Sequence, residues 1–210
     1  MKPFAGLTTT NTALLVIDVI NSCAHEQSEI PEWGIHFSKV RQMVPRLETF
    51  IAQFRQTFQG PVIFGRTLPW QKEYLAHNIN ELYEDHRAYY YTPDRTGFAE
   101  EFYRVQPEPG DIVTAKATND TLTDPKLLAT LEKRGIRYLV VTGVFTDGCI
   151  LATVIGGFTR GYNMLVLSDL VETTDLPQRQ RIQKDLLTYT FPVMFARVLS
   201  SSNLLKHYKK

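Results

Sequence analysis

Cysteine is scarce in this chain: 210 residues contain two, Cys23 and Cys149. Two cannot build the disulfide framework of a small secreted fold, and they fit a reducing compartment. An excess of charge of either sign is also missing. The 23 Lys and Arg against 22 Asp and Glu leave a formal net charge of +1, so composition draws the chain toward neither nucleic acid nor a membrane surface. No apolar run reaches the roughly 20 residues of a spanning helix. The first run stops at Asp18, too soon for the apolar part of a secretion signal. Internal repeats, low-complexity tracts and linkers are absent as well. These absences point to a soluble cytoplasmic protein made of one domain, residues 1–210, long enough to bury a core without staples.

What the chain does contain is a series of short apolar runs separated by helical patterns. Ala13 to Ile17, Val62 to Phe64, Asp111 to Ala115, Tyr138 to Thr142, Met164 to Leu167 and Val193 to Phe195 read as six strands. Their apolar residues are continuous rather than alternating, which suggests strands covered on both faces of a parallel sheet. Helices are predicted from Ser38 to about Phe58, from Pro125 to Arg134, from about Asp147 to Arg160 and over 177–189. Ser38 is a possible cap, and Pro45 should kink the first of these helices or mark its first turn. Strands alternating with helices about six times predict an α/β fold: one three-layer α/β/α domain with a mostly parallel, doubly wound, Rossmann-like sheet. Residues 68–110 interrupt this rhythm. A helix is plausible over 71–84, and the region is rich in aromatics, with Tyr74, Tyr83, Tyr89, Tyr90, Tyr91, Phe98, Phe102 and Tyr103. It reads as an insertion packing on itself, or as a lid or subunit contact. The tail from 199 onward is polar and basic.

Three strand ends carry residues with chemistry. Gly143 to Cys149 reads GVFTDGC, and its cysteine falls where a strand hands over to a helix. A thiol in a helix's first turn meets free backbone N–H groups, which can lower its pKa and hold an oxyanion. An inert buried cysteine would fit the same position. Asp18 ends the first run, as a general base or as a cap. Lys116 follows Asp111-Ile112-Val113-Thr114-Ala115, as a cation for a thiolate and a carboxylate or as a snorkelling surface lysine. On separate strands of one parallel sheet, the three can converge at one crevice.

The three motifs together, LLVIDVIN, DIVTAK and GVFTDGC, resemble the isochorismatase-like cysteine hydrolase family over roughly 13–199. The resemblance implies a triad of Cys149 as nucleophile, Asp18 as base and Lys116 as electrostatic support. It also implies a cis peptide that by position would join Val144 to Phe145. The Phe145 and Cys149 N–H groups would then face the oxyanion, and Thr146 would hold the turn. Family members are often dimers or tetramers, so a homodimer or homotetramer acting on a small molecule is expected, with no nucleic acid or membrane partner.

Departures from the family pattern narrow the chemistry. The Asp-x-His metal motif of nicotinamidases is replaced by RTLPWQKEYLAH after the second strand. His77 and His86 have no carboxylate companion at metal-binding spacing, and Glu29 breaks the two-histidine zinc pattern after His25. Neither a metal nor another cofactor is therefore expected. Retention of Cys149 favours C–N bonds of amide, ureido or carbamoyl compounds, cleaved through a thioester, over a vinyl ether. Candidate pocket residues are Cys23 and His25 in the loop after Asp18, and Arg66 and Trp70 beyond the second strand. Two other roles remain open: a reversible Cys23–Cys149 disulfide, and a catalytically idle binding protein.

Overall fold

The computed structural model describes residues 3–82 and 95–208. Its centre is β1 (Thr12–Ile17), six residues that are all buried. β1 pairs in parallel on one side with β2 (Val62–Thr67) and on the other with β4 (Tyr138–Val144). β3 (Ile112–Lys116), β5 (Asn163–Glu172) and β6 (Ala196–Leu199) complete a six-stranded, all-parallel sheet in the order β3-β2-β1-β4-β5-β6. The order reverses between β1 and β4, which opens a crevice at the carboxyl ends of the strands there.

The pleat explains why β1 is apolar throughout. Leu14 and Val16 point into one core, with residues of α2 (Ser38–Thr57) such as Val40, Val44, Leu47 and Phe54. Ala13, Leu15 and Ile17 point into a second core, with Leu127 and Leu131 of α4 (Pro125–Lys133) and Val154 of α5 (Leu151–Thr159). A strand covered on both faces has no polar side, so its sequence cannot alternate. Among the described residues the remaining α-helices are α1 (Asn21–Ala24), α3 (His77–Leu82), α6 (Pro177–Asp185) and α7 (Ser201–Lys206). α4 begins as its sequence suggests: the Asp124 side chain accepts from the Lys126 N–H, with Pro125 just inside. Among the described residues no helix is long and apolar enough to cross a membrane.

Four local expectations are corrected. The sixth strand is not Val193–Phe195. Leu186–Phe195 winds as a wide helical segment, in which Val193 and Met194 are exposed, and the residues that pair with β5 are Ala196–Leu199. Arg197 had disguised this strand, yet its guanidinium sits over the Phe4 ring and donates to Pro3 O. The polar tail contains α7, capped by Ser200 and anchored by buried Leu204 and Leu205. α2 starts at Ser38, so Pro45 lies inside the helix rather than in its first turn, and the cap position is Phe37. Ser38 is its first residue and bonds instead to Asp175. Of the helix expected over 71–84, only His77–Leu82 forms within the described residues. Tyr83, His86, Tyr89, Tyr90 and Tyr91 lie outside them.

Candidate active site

The site forms where β1, β3 and β4 end. β1 stops at Ile17, and Asp18 leaves the sheet with a left-handed backbone, φ 51°. Its N–H donates to Gly65 O of β2. Aspartate tolerates this conformation better than most residues. The turn drops a carboxylate that is 1% exposed over the strand ends.

Lys116 closes β3, two strands away, and its long stem crosses that gap. The buried ammonium lies 2.8 Å from Asp18 Oδ2, 3.2 Å from Cys149 Sγ and 3.3 Å from Thr118 O. Cys149 Sγ and Thr118 O accept hydrogen bonds from it, and Asp18 is its ion-pair partner.

β4 delivers the thiol. Gly143 pairs with Ile17 at φ 109°, and a Cβ there would sit 2.1 Å from Ile17 O. Only glycine lets the two backbones approach so closely just before the turn. Beyond it the Val144–Phe145 peptide is cis. Thr146–Ile150 forms a single wide turn, with Gly148 at φ −129°, ψ −105°. Phe145 stacks on Phe37 with ring centroids 5.8 Å apart. Thr146 donates from Oγ1 to Gln183 of α6 at 2.6 Å. Cys149 is partly exposed and free of any disulfide.

The electrostatics are those of a charged pair in a dry place. Burial pulls the Lys116 ammonium toward neutrality, but Asp18 and then Cys149 override it and raise its pKa. The desolvated surroundings of Cys149, and next the Asp18 carboxylate, push its thiol well above the usual range despite the nearby ammonium. Burial and Asp18 thus oppose the acidifying effect that position at a helix start alone suggests.

The other candidate residues are more dispersed. Cys23 in α1 is buried, and burial with the field of Asp18 pushes its thiol up to about 12. Its side chain lies in the core that packs α2 on the sheet, beside Ser22 Oγ at 3.8 Å. The His25 ring accepts from the Gln27 N–H and packs edge-on against Phe98 and Tyr103. Arg66 donates to Glu100 O and lies over Phe102. Trp70 packs with Leu75 and Ile79 in a small cluster apart from the two main cores. Among the described residues no group of three His, Cys, Asp or Glu side chains is arranged as metal ligands.

Sequence reasoning missed two features. Asn119, in the loop after Lys116, has Oδ1 3.8 Å from Cys149 Sγ. Its place three residues beyond Lys116 was the available signal. Asp147, inside GVFTDGC itself, pairs with Arg179 of α6. Nothing in the pattern of α6 singles out that arginine.

A parallel α/β sheet that brings a thiol, a carboxylate and a buried ammonium together beyond its strand ends has the makings of a thiol-dependent hydrolase. The family is shown directly: the Isochorismatase domain matches residues 12–201, and the chain belongs to that family of hydrolases. The ureidoacrylate amidohydrolase RutB of Enterobacter sp. (strain 638) is 27% identical over 176 residues, 76% of this chain and 74% of the relative. Two solved structures share the fold. A cysteine hydrolase from Pseudomonas syringae pv. phaseolicola 1448A has a TM-score of 0.80 at 18% identity, covering 96% of this chain and 94% of the other. An N-carbamoylsarcosine amidase from Thermoplasma acidophilum has a TM-score of 0.64 at 22% identity, covering 91% and 96%.

Proposed function

We propose that this protein is a cysteine hydrolase that cleaves a C–N bond of a small amide, ureido or carbamoyl compound, with a thioester at Cys149. The observation that carries the reading is the position of the Lys116 ammonium, 2.8 Å from Asp18 Oδ2 and 3.2 Å from Cys149 Sγ. Asp18 takes the thiol proton as Cys149 attacks the carbonyl carbon. The negative charge then moves from one neighbour of Lys116 to the other. At an effective dielectric constant of about 20, the ammonium attracts the carboxylate by about 6 kcal/mol and a thiolate at 3.2 Å by about 5 kcal/mol. The transfer is thus nearly level in this term, although burial makes a lone thiolate costly. Backbone N–H groups of the 145–149 turn hold the carbonyl oxygen as it becomes an oxyanion. When the tetrahedral species collapses, Asp18 returns its proton to the leaving nitrogen and the C–N bond breaks. Water, deprotonated by Asp18, attacks the thioester, and Cys149 leaves and is reprotonated. The amidohydrolase and amidase among the chain's relatives support a C–N bond as the target.

The test is ammonia release across small amides, ureido acids and carbamoyl amino acids, with Cys149→Ala and Asp18→Asn alongside. Turnover by the native chain, lost by a factor of about 10³ or more in both variants, is the expected result. An active Cys149→Ala protein, or no turnover of any compound, would sink the proposal. Intact mass after brief exposure to a substrate should also show an acyl adduct at Cys149.

A further inference from the structure

We propose that Arg179 and Asp147 are positioning residues that set the aim of the Cys149 thiol through the turn that carries it. The inference rests on the reading of Cys149 as a nucleophile. It begins with α6, which buries none of its residues yet packs on the site. Its hold on the protein is polar, and part of that hold falls on three consecutive residues of the turn.

Asp147 lies two positions before Cys149, and both of its oxygens are occupied. Arg179 Nε donates to Oδ2 at 2.6 Å, Arg179 Nη2 to Oδ1 at 2.7 Å, and Thr173 Oγ1 to Oδ1 at 2.6 Å. The two charged side chains are only 12% and 8% exposed, so this fork-to-fork pair is shielded from water and fixed in orientation. The same guanidinium lies 4.7 Å from the centre of the Phe145 ring, which is stacked on Phe37 from α2's entry. One arginine therefore fixes the residues on both sides of Thr146. Thr146 is held by Gln183 at 2.6 Å, and Gln183 is fixed in turn by Glu172 at 2.7 Å. Glu172 also accepts from Gln180 and from the Thr173 N–H. Phe145, Thr146 and Asp147 are thus gripped in sequence by α6 and the end of β5.

The planar fork of Arg179 and its face over Phe145 are what orient the turn, so the role we assign to it is geometric. A lysine would supply the charge without the planar fork or the stacking face. A misplacement of about 1 Å at a reacting atom is enough to cost about 10²-fold in rate. The bulk of that loss should appear in kcat.

The experiment compares Arg179→Lys, Arg179→Gln and Asp147→Asn with the native chain. It reads kcat and KM, the rate of iodoacetamide alkylation at the Cys149 peptide, and the urea midpoint. The expected result is a fall in kcat of about 10–100-fold, KM changed less than about threefold, and an altered Cys149 alkylation rate in all three variants. Native kcat in Arg179→Lys would overturn the inference, because charge alone would then suffice. So would a lowered urea midpoint with unchanged kcat and alkylation, which marks a merely structural pair. If Arg179→Gln fails to fold, Asp147→Asn keeps the shape of the side chain and carries the test. Alkylation needs no substrate: a clear dependence on Arg179 with no turnover of any C–N compound would uphold the positioning and reject the hydrolase reading.

Discussion

Asp18→Asn leaves the Lys116 ammonium without its counter-charge where both side chains are 1% exposed. In the native chain, about 6 kcal/mol of attraction at 2.8 Å is set against several kcal/mol of desolvation for each ion. The pair therefore adds little net stability, yet removing one partner costs about 3–5 kcal/mol. Lys116→Met should cost a similar amount, and the double variant clearly less than the sum of the two. We expect a coupling of at least about 2 kcal/mol. Urea unfolding at pH 7 under reducing conditions measures all four corners of the cycle. At a slope of about 2 kcal/mol/M, each single variant should shift the midpoint by about 1.5–2.5 M. The pH dependence adds a second reading with its own sign. The native Lys116 pKa is raised by Asp18 and Cys149 over the opposing effect of burial. Its contribution is fully present below the unfolded lysine pKa of about 10.4 and is lost as pH rises through the higher folded value. In Asp18→Asn the larger of the two groups that offset burial is gone, leaving only Cys149, so the folded pKa falls; where it falls below the unfolded one, stability recovers as pH rises toward about 10. Additive single-variant costs, or a deficit that stays flat from pH 7 to 10, would refute a facing pair of buried charges.

Three further outcomes follow from the same structure. Alkylation of Cys149, followed by peptide mass, should keep rising beyond the usual thiol pKa of about 8.5, because desolvation and Asp18 hold the proton on; in Asp18→Asn the curve moves to lower pH while hydrolysis is lost. Partial burial pushes Glu29 up, but His36, the Phe37 N–H and Arg41 outweigh it and hold its carboxyl down at about 2. Its stabilisation is therefore present above about pH 4.3 and lost from there down to about pH 2, so Glu29→Gln should flatten thermal midpoints across that window. Gly143→Ala forces a side chain into φ 109° and against Ile17 O, at a cost of at least about 2 kcal/mol; an unchanged urea midpoint would show that β1 and β4 do not meet as tightly as described.

The strands of the sheet were legible because burial on both faces leaves a continuous apolar run, as in Ala13 to Ile17. The three strand-end residues stood out for the converse reason: each is a reactive group ending such a run. β6 was less legible because it lies at the sheet's edge, where Arg197 can reach out to Phe4 while its neighbours pair with β5. The apolar triple Val193-Met194-Phe195 drew the reading instead, although its first two members face solvent. In the site, position suggested which groups meet but not their proton balance. A helix start argued for an acidified thiol, whereas desolvation and Asp18 decide otherwise. The Arg179–Asp147 pair joins residues 32 positions apart through side-chain geometry, and apolar periodicity carries no trace of such a contact.

The strand order has a consequence for how reactivity arises. β1 carries the carboxylate, yet its neighbour β4 enters the chain only at residue 138. A product ending before that point holds both ionic members of the site and no thiol at position 149. A fragment beginning after β3 holds the thiol with neither of them. Since desolvation and the facing charges give Cys149 its distinctive chemistry, each piece alone has none of it. The environment of Cys149 belongs to the assembled sheet, and a half-made chain exposes only an ordinary cysteine.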